Sequence, residues 1–277
     1  MSAPTAGSVV RESFAASVER LHANVPLIDD DGDPEGVHRA RVAARRLRSD
    51  LRVFASLVDR AWAKDLRSEL RWLADALGVA RDADVLLVHM REVSAAWPAA
   101  DRDRVAPVLA ALTRQDEEAN LALREILASD RAPALLHRLH GSATALPLVG
   151  PHDRPAAEIL PPLLHAQLDH LHEVAARADS APTDRRLHGV RIAAKHVRYA
   201  ARSVAPAVRG ARALAEAAED LQGVLGEHQD AVVAEAWLRR FGADDLADRE
   251  RVAASAAAAR WPGAYALVVA AERRIGA

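Results

Sequence analysis

The sequence predicts an all-α protein built from two related halves. Segments between turn signals carry apolar residues at helical spacing, and none reads convincingly as a strand. The apolar half of the composition is mainly Ala, Leu and Val with 4% aromatic residues, which suits closely packed helices. An Arg-rich stretch at 37–54, VHRARVAARRLRSDLRVF, returns about 150 residues later at 187–204 as LHGVRIAAKHVRYAARSV.

Taken in order, residues 1–7 read as a loose start, and 9–24 as a short amphipathic helix with Phe14, Val18 and Leu21 on one side. Residues 29–36, DDDGDPEG, form a turn in which Asp33 can cap and Pro34 suits the first helical position. The first basic helix follows, to about residue 58. A helix over 62–77 is expected to stop at Gly78 as a C-terminal cap, and another opens at 81–84 with Asp82 as its N-cap. Helices at 101–129 and 132–140 precede a stretch at 141–155, GSATALPLVGPHDRP, whose prolines and glycines mark a linker. The second half begins with a helix over 155–178. Thr183 or Asp184 then caps the second basic helix, which ends near Pro206. A helix over 208–225 is expected to end at Gly226, and the Gln229–Asp230–Ala231 run to open the next, towards Phe241. Segments 246–260 and 263–275 complete the chain. The whole reads as a single unit over 8–275, with halves 8–140 and 156–275.

At about 100° per residue, His38, Arg41, Arg45, Arg48 and Arg52 fall within roughly 80° of one another. His188, Arg191, Lys195, Arg198 and Arg202 repeat that arc with the same 3, 4, 3, 4 spacing. The other side of the first copy carries Ala40, Ala43, Ala44, Leu47, Leu51 and Phe54, a stripe fit for burial. Like charges at this spacing cost an isolated helix about 0.2–0.5 kcal/mol per pair, and no carboxylate intervenes in either stripe. One such stripe could be a solvated face. Two in the same register, each opening on His, indicate that a polyanionic ligand supplies the missing counter-charge. A second motif recurs in the same order: residues 77–85, LGVARDADV, match 225–233, LGEHQDAVV, at an offset of 148. The two repeats argue for internal duplication, and symmetry would bring both basic helices to one shared surface or channel.

Composition narrows the classes further. Absence of cysteine excludes disulfides and thiolate chemistry. The first ten residues, MSAPTAGSVV, lack the features of a signal peptide, and no stretch approaches the roughly 18 apolar residues of a membrane span. A cytoplasmic protein with no membrane partner is expected. The formal net charge of −2 rules out a globally basic nucleic-acid binder. The cations are nearly all Arg, with Lys64 and Lys195 the exceptions, and the planar Arg fork suits phosphate oxygens.

Here the chain resembles a known family, the CHAD (conserved histidine α-helical) domain. The resemblance rests on the His-x-x-Arg-Val-x-x-Arg-Arg-Leu-Arg form of 38–48 and the His-x-x-Arg-Ile-x-x-Lys-His-Val-Arg-Tyr form of 188–199. The Leu-Gly-x-x-Arg-Asp-x-Asp run at 77–84 agrees. It implies two four-helix-bundle-like halves related by pseudo-two-fold symmetry around a basic central pore, inorganic polyphosphate as partner, and for some members association with polyphosphate granules. His196 departs from the pattern, standing where a second basic residue, like Arg46, is common.

The expected direct donors to phosphate are Arg41, Arg45, Arg48, Arg191, Lys195 and Arg198. His38 and His188 stand near helix N-termini, which favour anions. Arg46, Arg52, His196 and Arg202 extend the stripes, and Lys64, Arg67 and Arg71 form a further basic row. Glu216 and Glu219 make the second side less basic. Asp82 and Asp230 are expected to cap helices, with holding an Arg in place as the alternative. Tyr199 reads as a core or rim residue. The stripe from His38 to Arg52 spans about 21 Å, longer than a triphosphate.

No enzyme is expected, and no catalytic residue, cofactor or metal. The G-x-x-x-x-G-K-[ST] phosphate loop is absent, as is the Glu-x-Glu-x-Lys signature of triphosphate tunnel enzymes. His165, Asp169 and His172 share a helix face on which a metal could be held, against the simpler reading of a solvated face. A polyphosphate kinase phosphorylated on His38 or His196 would need a nucleotide site that is not visible. Single-stranded RNA is the principal rival ligand. It is disfavoured because aromatic platforms do not interleave with the stripes apart from Tyr199 and Phe54. A surface docking acidic protein tails is the third reading.

Overall fold

The computed structural model describes residues 3–28 and 34–275. Nine α-helices form among the described residues: α1 (Ala6–Asn24), α2 (Pro34–Val53), α3 (Arg60–Ala95), α4 (Ala99–Ala128), α5 (Arg131–Thr144), α6 (Ala156–Ser180), α7 (Asp184–Val204), α8 (Ala211–Arg240) and α9 (Asp244–Glu272). A 3-10 turn (Val25–Leu27) follows α1. The fold is all-α: among the described residues the only β-type pairings are isolated bridges, Thr5 with Pro155 and Val58 with Leu148.

Local signals account for several boundaries. Thr5 accepts from the Ser8 N–H and starts α1 ahead of the expected position. Pro34 opens α2 as expected, whereas the turn and cap read at Asp29 to Asp33 lie outside the described residues. Thr183 caps α7 by accepting from the Arg186 N–H at 3.3 Å. α2 ends at Val53 rather than near residue 58, and α5 runs on to Thr144, so the connection between halves starts at residue 145. That connection is tied down at Asp59, whose N–H donates to the Pro147 carbonyl, and at Val149, whose N–H donates to that of Leu57.

Three expected breaks do not occur. α3 runs through Gly78 and Asp82, α8 through Gly226 and Asp230, and α9 through Pro262. A glycine C-cap needs a left-handed residue, and positive φ occurs among the described residues only at Gly150, Gly210 and Gly242. Gly78 and Gly226 are helical and buried, and packing on both sides outweighs their low propensity. Pro262 removes one backbone hydrogen bond, but its neighbour Trp261 is buried in the core and holds α9 across the interruption.

The helices of the second half follow the first in the same order. α1, α2, α3 and α4 pack successively, and so do α6, α7, α8 and α9. The halves meet where α2 crosses α7 and α3 meets α8. The α2 side of Ala40, Ala43, Ala44, Leu47 and Leu51 is buried, as are Val190, Ala193, Ala194 and Val197 on α7. These residues belong to one apolar core continuous across both halves. A second cluster, including Leu86, Met90, Val108, Leu112, Leu238 and Leu246, joins the distal parts of α3, α4, α8 and α9. Asp50 sits inside the main junction at 2% exposure, accepting from Ser13 of α1 at 2.8 Å and Ser203 of α7 at 2.7 Å. Burial pushes its carboxyl up to about 6, against the pull of the two hydroxyls and Arg46.

Candidate anion-binding cavities

With α2 and α7 side by side, the polar faces of the two basic helices turn towards α3 and α8. Two cavities open there. The first, about 420 Å³, is lined by Arg41, Arg45, Arg48 and Arg52 from α2, Arg67 from α3, and Lys195 and His196 from α7. The second, about 400 Å³, is lined by Arg41, His188, Arg191 and Lys195, with Asp82, Gln229 and Asp230. Arg41, Asp82, Ile192 and Lys195 line both, so the cavities adjoin.

The residue positions follow from the helix geometry. The guanidinium of Arg41 lies along α3 at Gly78, where a Cβ would stand 3.8 Å from Nη2. One turn further on, Asp82 accepts from Arg41 Nη1 at 2.8 Å. Arg191 lies in the same way on α8 at Gly226, where a Cβ would be 3.7 Å from Nε, and Asp230 stands one turn beyond. The repeated Gly-x-x-x-Asp is therefore a seat for an arginine from the neighbouring basic helix. The caps expected at Asp82 and Asp230 are corrected on this ground, since both lie inside helices. For Asp82 the alternative reading, an arginine holder, is the one observed.

Tyr199 is 2% exposed and serves the cations from below. Arg198 lies over its ring at 4.8 Å and Arg45 at 6.0 Å. His188 donates through Nδ1 to Gln229 Oε1 at 2.8 Å, which leaves Nε2 as the other polar atom of the ring. Arg52 donates to Gln167 at 3.3 Å.

Among the described residues, no ion pair joins Arg45, Arg48, Arg191 or Lys195 to a carboxylate. The electrostatic consequences are large. Lys195 is held down to about 6, first by burial and then by Arg45, Arg191, Arg41 and Arg198. His196 is depressed to about 3 by burial, Arg52 and Lys195, and its buried Nδ1 has no hydrogen-bond partner. Burial likewise lowers Arg45, Arg48, Arg52 and Arg191, and the Nε of Arg191 is buried and unpartnered. Crowded, desolvated cations without counter-ions are stabilised by an incoming anion.

Other expected site residues lie elsewhere. Arg198 is buried and donates to Glu219 at 3.0 Å, and Arg202 donates to the same carboxylate at 2.5 Å. The far end of the second stripe is thus neutralised from α8, and neither residue lines a cavity. Arg46 turns towards Arg20, Asp50 and Arg202. His38 lies off both linings, and its pKa is lowered by burial and by Arg81. Lys64 and Arg71 are exposed on α3 outside both linings, although Arg71 adds to the positive field at Arg48. His172 bonds Tyr265 at 2.6 Å and Glu272 at 2.8 Å rather than facing Asp169 as part of a metal set. Asp75, Ile192, Val79 and Gln229 also line the cavities. Ile192, Val79 and Gln229 stand within the repeated motifs, whereas Asp75 lies outside them and carries no such signal.

Comparison with known proteins agrees with this architecture. A family model described as the CHAD domain matches residues 12–239. The uncharacterized proteins Rv2226 and MT2285, from Mycobacterium tuberculosis strains H37Rv and CDC 1551, are each 34% identical over 210 residues. The matches cover 72% of this chain and 39% of each relative, so the chain spans well under half their length. Among solved structures, PptA from Streptomyces chartreusis aligns with a TM-score of 0.72 and 21% identity, over 98% of this chain and 99% of that one. The CHAD domain from the plant Ricinus communis aligns with a TM-score of 0.70 and 24% identity, over 98% and 92%. At these identities the two structures establish a shared helical fold.

Proposed function

The chain belongs to the CHAD domain family, and on that premise we propose that it binds inorganic polyphosphate, without processing it, in the adjoining cavities that α2 and α7 form with α3 and α8. One observation carries the reading: among the described residues, Arg45, Arg48, Arg191 and Lys195 line adjoining cavities without an ion pair to any carboxylate. A linear polyanion satisfies all four at once, through charge-assisted hydrogen bonds from fixed donors. Nucleic acid fits less well. Its single strands are held by stacking on exposed rings, but Tyr199 and Phe54, the aromatics of the basic stripes, are both buried. The exposed apolar groups at the cavities are the aliphatic Val79 and Ile192.

The role is that of a binder because Arg and Lys donors outnumber the lining carboxylates, Asp75, Asp82 and Asp230. His188 and His196 line the cavities, but the sequence carries no phosphate-loop motif that would bring a nucleotide to them. Among the described residues no helix is long and apolar enough to cross a membrane, and the proposal extends to a cytoplasmic protein that associates with polyphosphate granules.

The test is a variant in which Arg41, Arg45, Arg191 and Lys195 are all changed to Ala, titrated with long-chain polyphosphate. Affinity should fall by more than about a hundredfold, given four charge-assisted contacts, while the far-ultraviolet dichroism stays helical. Full binding by a helical quadruple variant would place the site elsewhere.

A further inference from the structure

Three aspartates, Asp75, Asp82 and Asp230, line the cavities, and the two that follow the repeated glycines are not equivalent. Asp82 lies at the junction of the cavities and accepts from Arg41, yet its side chain is 73% exposed while that of Arg41 is 19% exposed. A ligand entering either cavity therefore meets the carboxylate before it reaches the guanidinium. Asp230 occupies the matching place on α8. Among the described residues, however, no ion pair joins it to Arg191, whose Nε is buried without a partner. One copy of the arginine seat is closed by its own carboxylate and the other is open.

We propose that Asp82 is a selectivity residue: a tethered anion that occupies Arg41 until a ligand of higher charge density displaces it. This rests on the polyphosphate reading and adds to it. To reach Arg41, a ligand must replace an existing charge-assisted hydrogen bond and then tolerate the Asp82 charge beside it. A nucleic-acid strand brings one charge per nucleotide, with a base-bearing sugar between successive phosphates. Exchanging one such phosphate for Asp82 leaves Arg41 with about what it had and adds repulsion. In polyphosphate a single bridging oxygen joins neighbouring phosphates, so several charges reach Arg41, Arg45, Arg191 and Lys195 together and outweigh the displaced carboxylate. Because Arg41 lines both cavities, a chain threading them passes this checkpoint.

The test compares wild type, Asp82→Asn and Asp82→Glu, each titrated with long-chain polyphosphate and with polyuridylate of matched total charge. Asn keeps the shape of an exposed helical side chain and removes only the charge, and thermal melts check that each variant is folded. Asp82→Asn should tighten polyuridylate by about tenfold, the scale of one charge-assisted contact. Polyphosphate should tighten by less, so its preference narrows, and Asp82→Glu should retain the wild-type preference. An unchanged preference in Asp82→Asn overturns the selectivity role while polyphosphate binding stands. Equal weakening for both ligands also overturns it, because Asp82 would then only position Arg41. A wild type that binds no polyphosphate removes the reading beneath it as well.

Discussion

Lys195 is the residue at which the electrostatics of the cavities are most exposed to measurement. An ordinary lysine value is 10.5, and here it is brought to about 6 by burial among Arg45, Arg191, Arg41 and Arg198. Between those values the unfolded chain binds the extra proton, so this group's contribution to stability rises with pH from about 6 to 10.5. Ligand binding has the opposite sign. A polyanion favours the ammonium form, so binding near pH 7.5 takes up about one proton at this site. Affinity for polyphosphate should therefore tighten as pH falls from 8 towards 6 and then level off. Lys195→Gln should flatten this dependence. Calorimetric titration in buffers of different ionisation heat counts the proton directly, and equal uptake by wild type and Lys195→Gln would contradict the assignment.

At the scale of elements, each basic helix works with the helix that follows it. α2 lays Arg41 on α3 at Gly78, and α7 lays Arg191 on α8 at Gly226. A methyl group at residue 78 would meet the guanidinium at 3.8 Å, an ordinary contact. Gly78→Ala should therefore be accepted and should stabilise α3 by about 0.5–1 kcal/mol, the helix-propensity gain. Gly78→Leu should push Arg41 off α3 and weaken polyphosphate binding several-fold. Thermal melts and titrations separate the two effects, and a Leu variant that binds like wild type would sink the seat. The same glycines mark what was legible in the chain and what was not. Their recurrence at a fixed offset was visible, and so was the spacing that sets four cations and a histidine on one face of each basic helix. Their purpose was not, because a glycine that follows a run of apolar residues at helical spacing carries the local signature of a helix end. Only contact with an arginine about 35 residues away distinguishes a seat from a stop. Arg198 and Arg202 illustrate the same limit: their spacing matches Arg48 and Arg52, but Glu219 reaches them from α8. Pairing between helices is a property of packing, to which helical periodicity is blind.

Over the whole molecule, a formal charge of −2 coexists with a cationic centre because many of the carboxylates pair with arginines at the periphery. Exposed pairs such as Arg104–Asp245, Arg131–Glu69, Arg138–Asp65 and Arg239–Asp248 occupy the periphery. Exposed to solvent, these pairs are screened and add little to stability. Their larger consequence is that these acids are engaged away from the α2–α7 junction, so the field of the unpaired cations is focused within the cavities. The continuous Ala- and Leu-rich core across both halves holds the two basic helices at fixed separation, and the desolvation of charged groups is sustained by that packing. The repeated motifs imply that the basic helices converge, and Arg45 of α2 and Lys195 of α7 line one cavity. The neutralised end of the second stripe and the adjoining cavities are features of the packed molecule alone. The most direct test of the account is a competition in which single-stranded RNA, bound at physiological salt, is displaced by long-chain polyphosphate of matched charge. The account predicts displacement at far lower phosphate concentration than RNA itself requires. Equal potency of the two polymers would contradict it and reduce the cavities to a general polyanion surface.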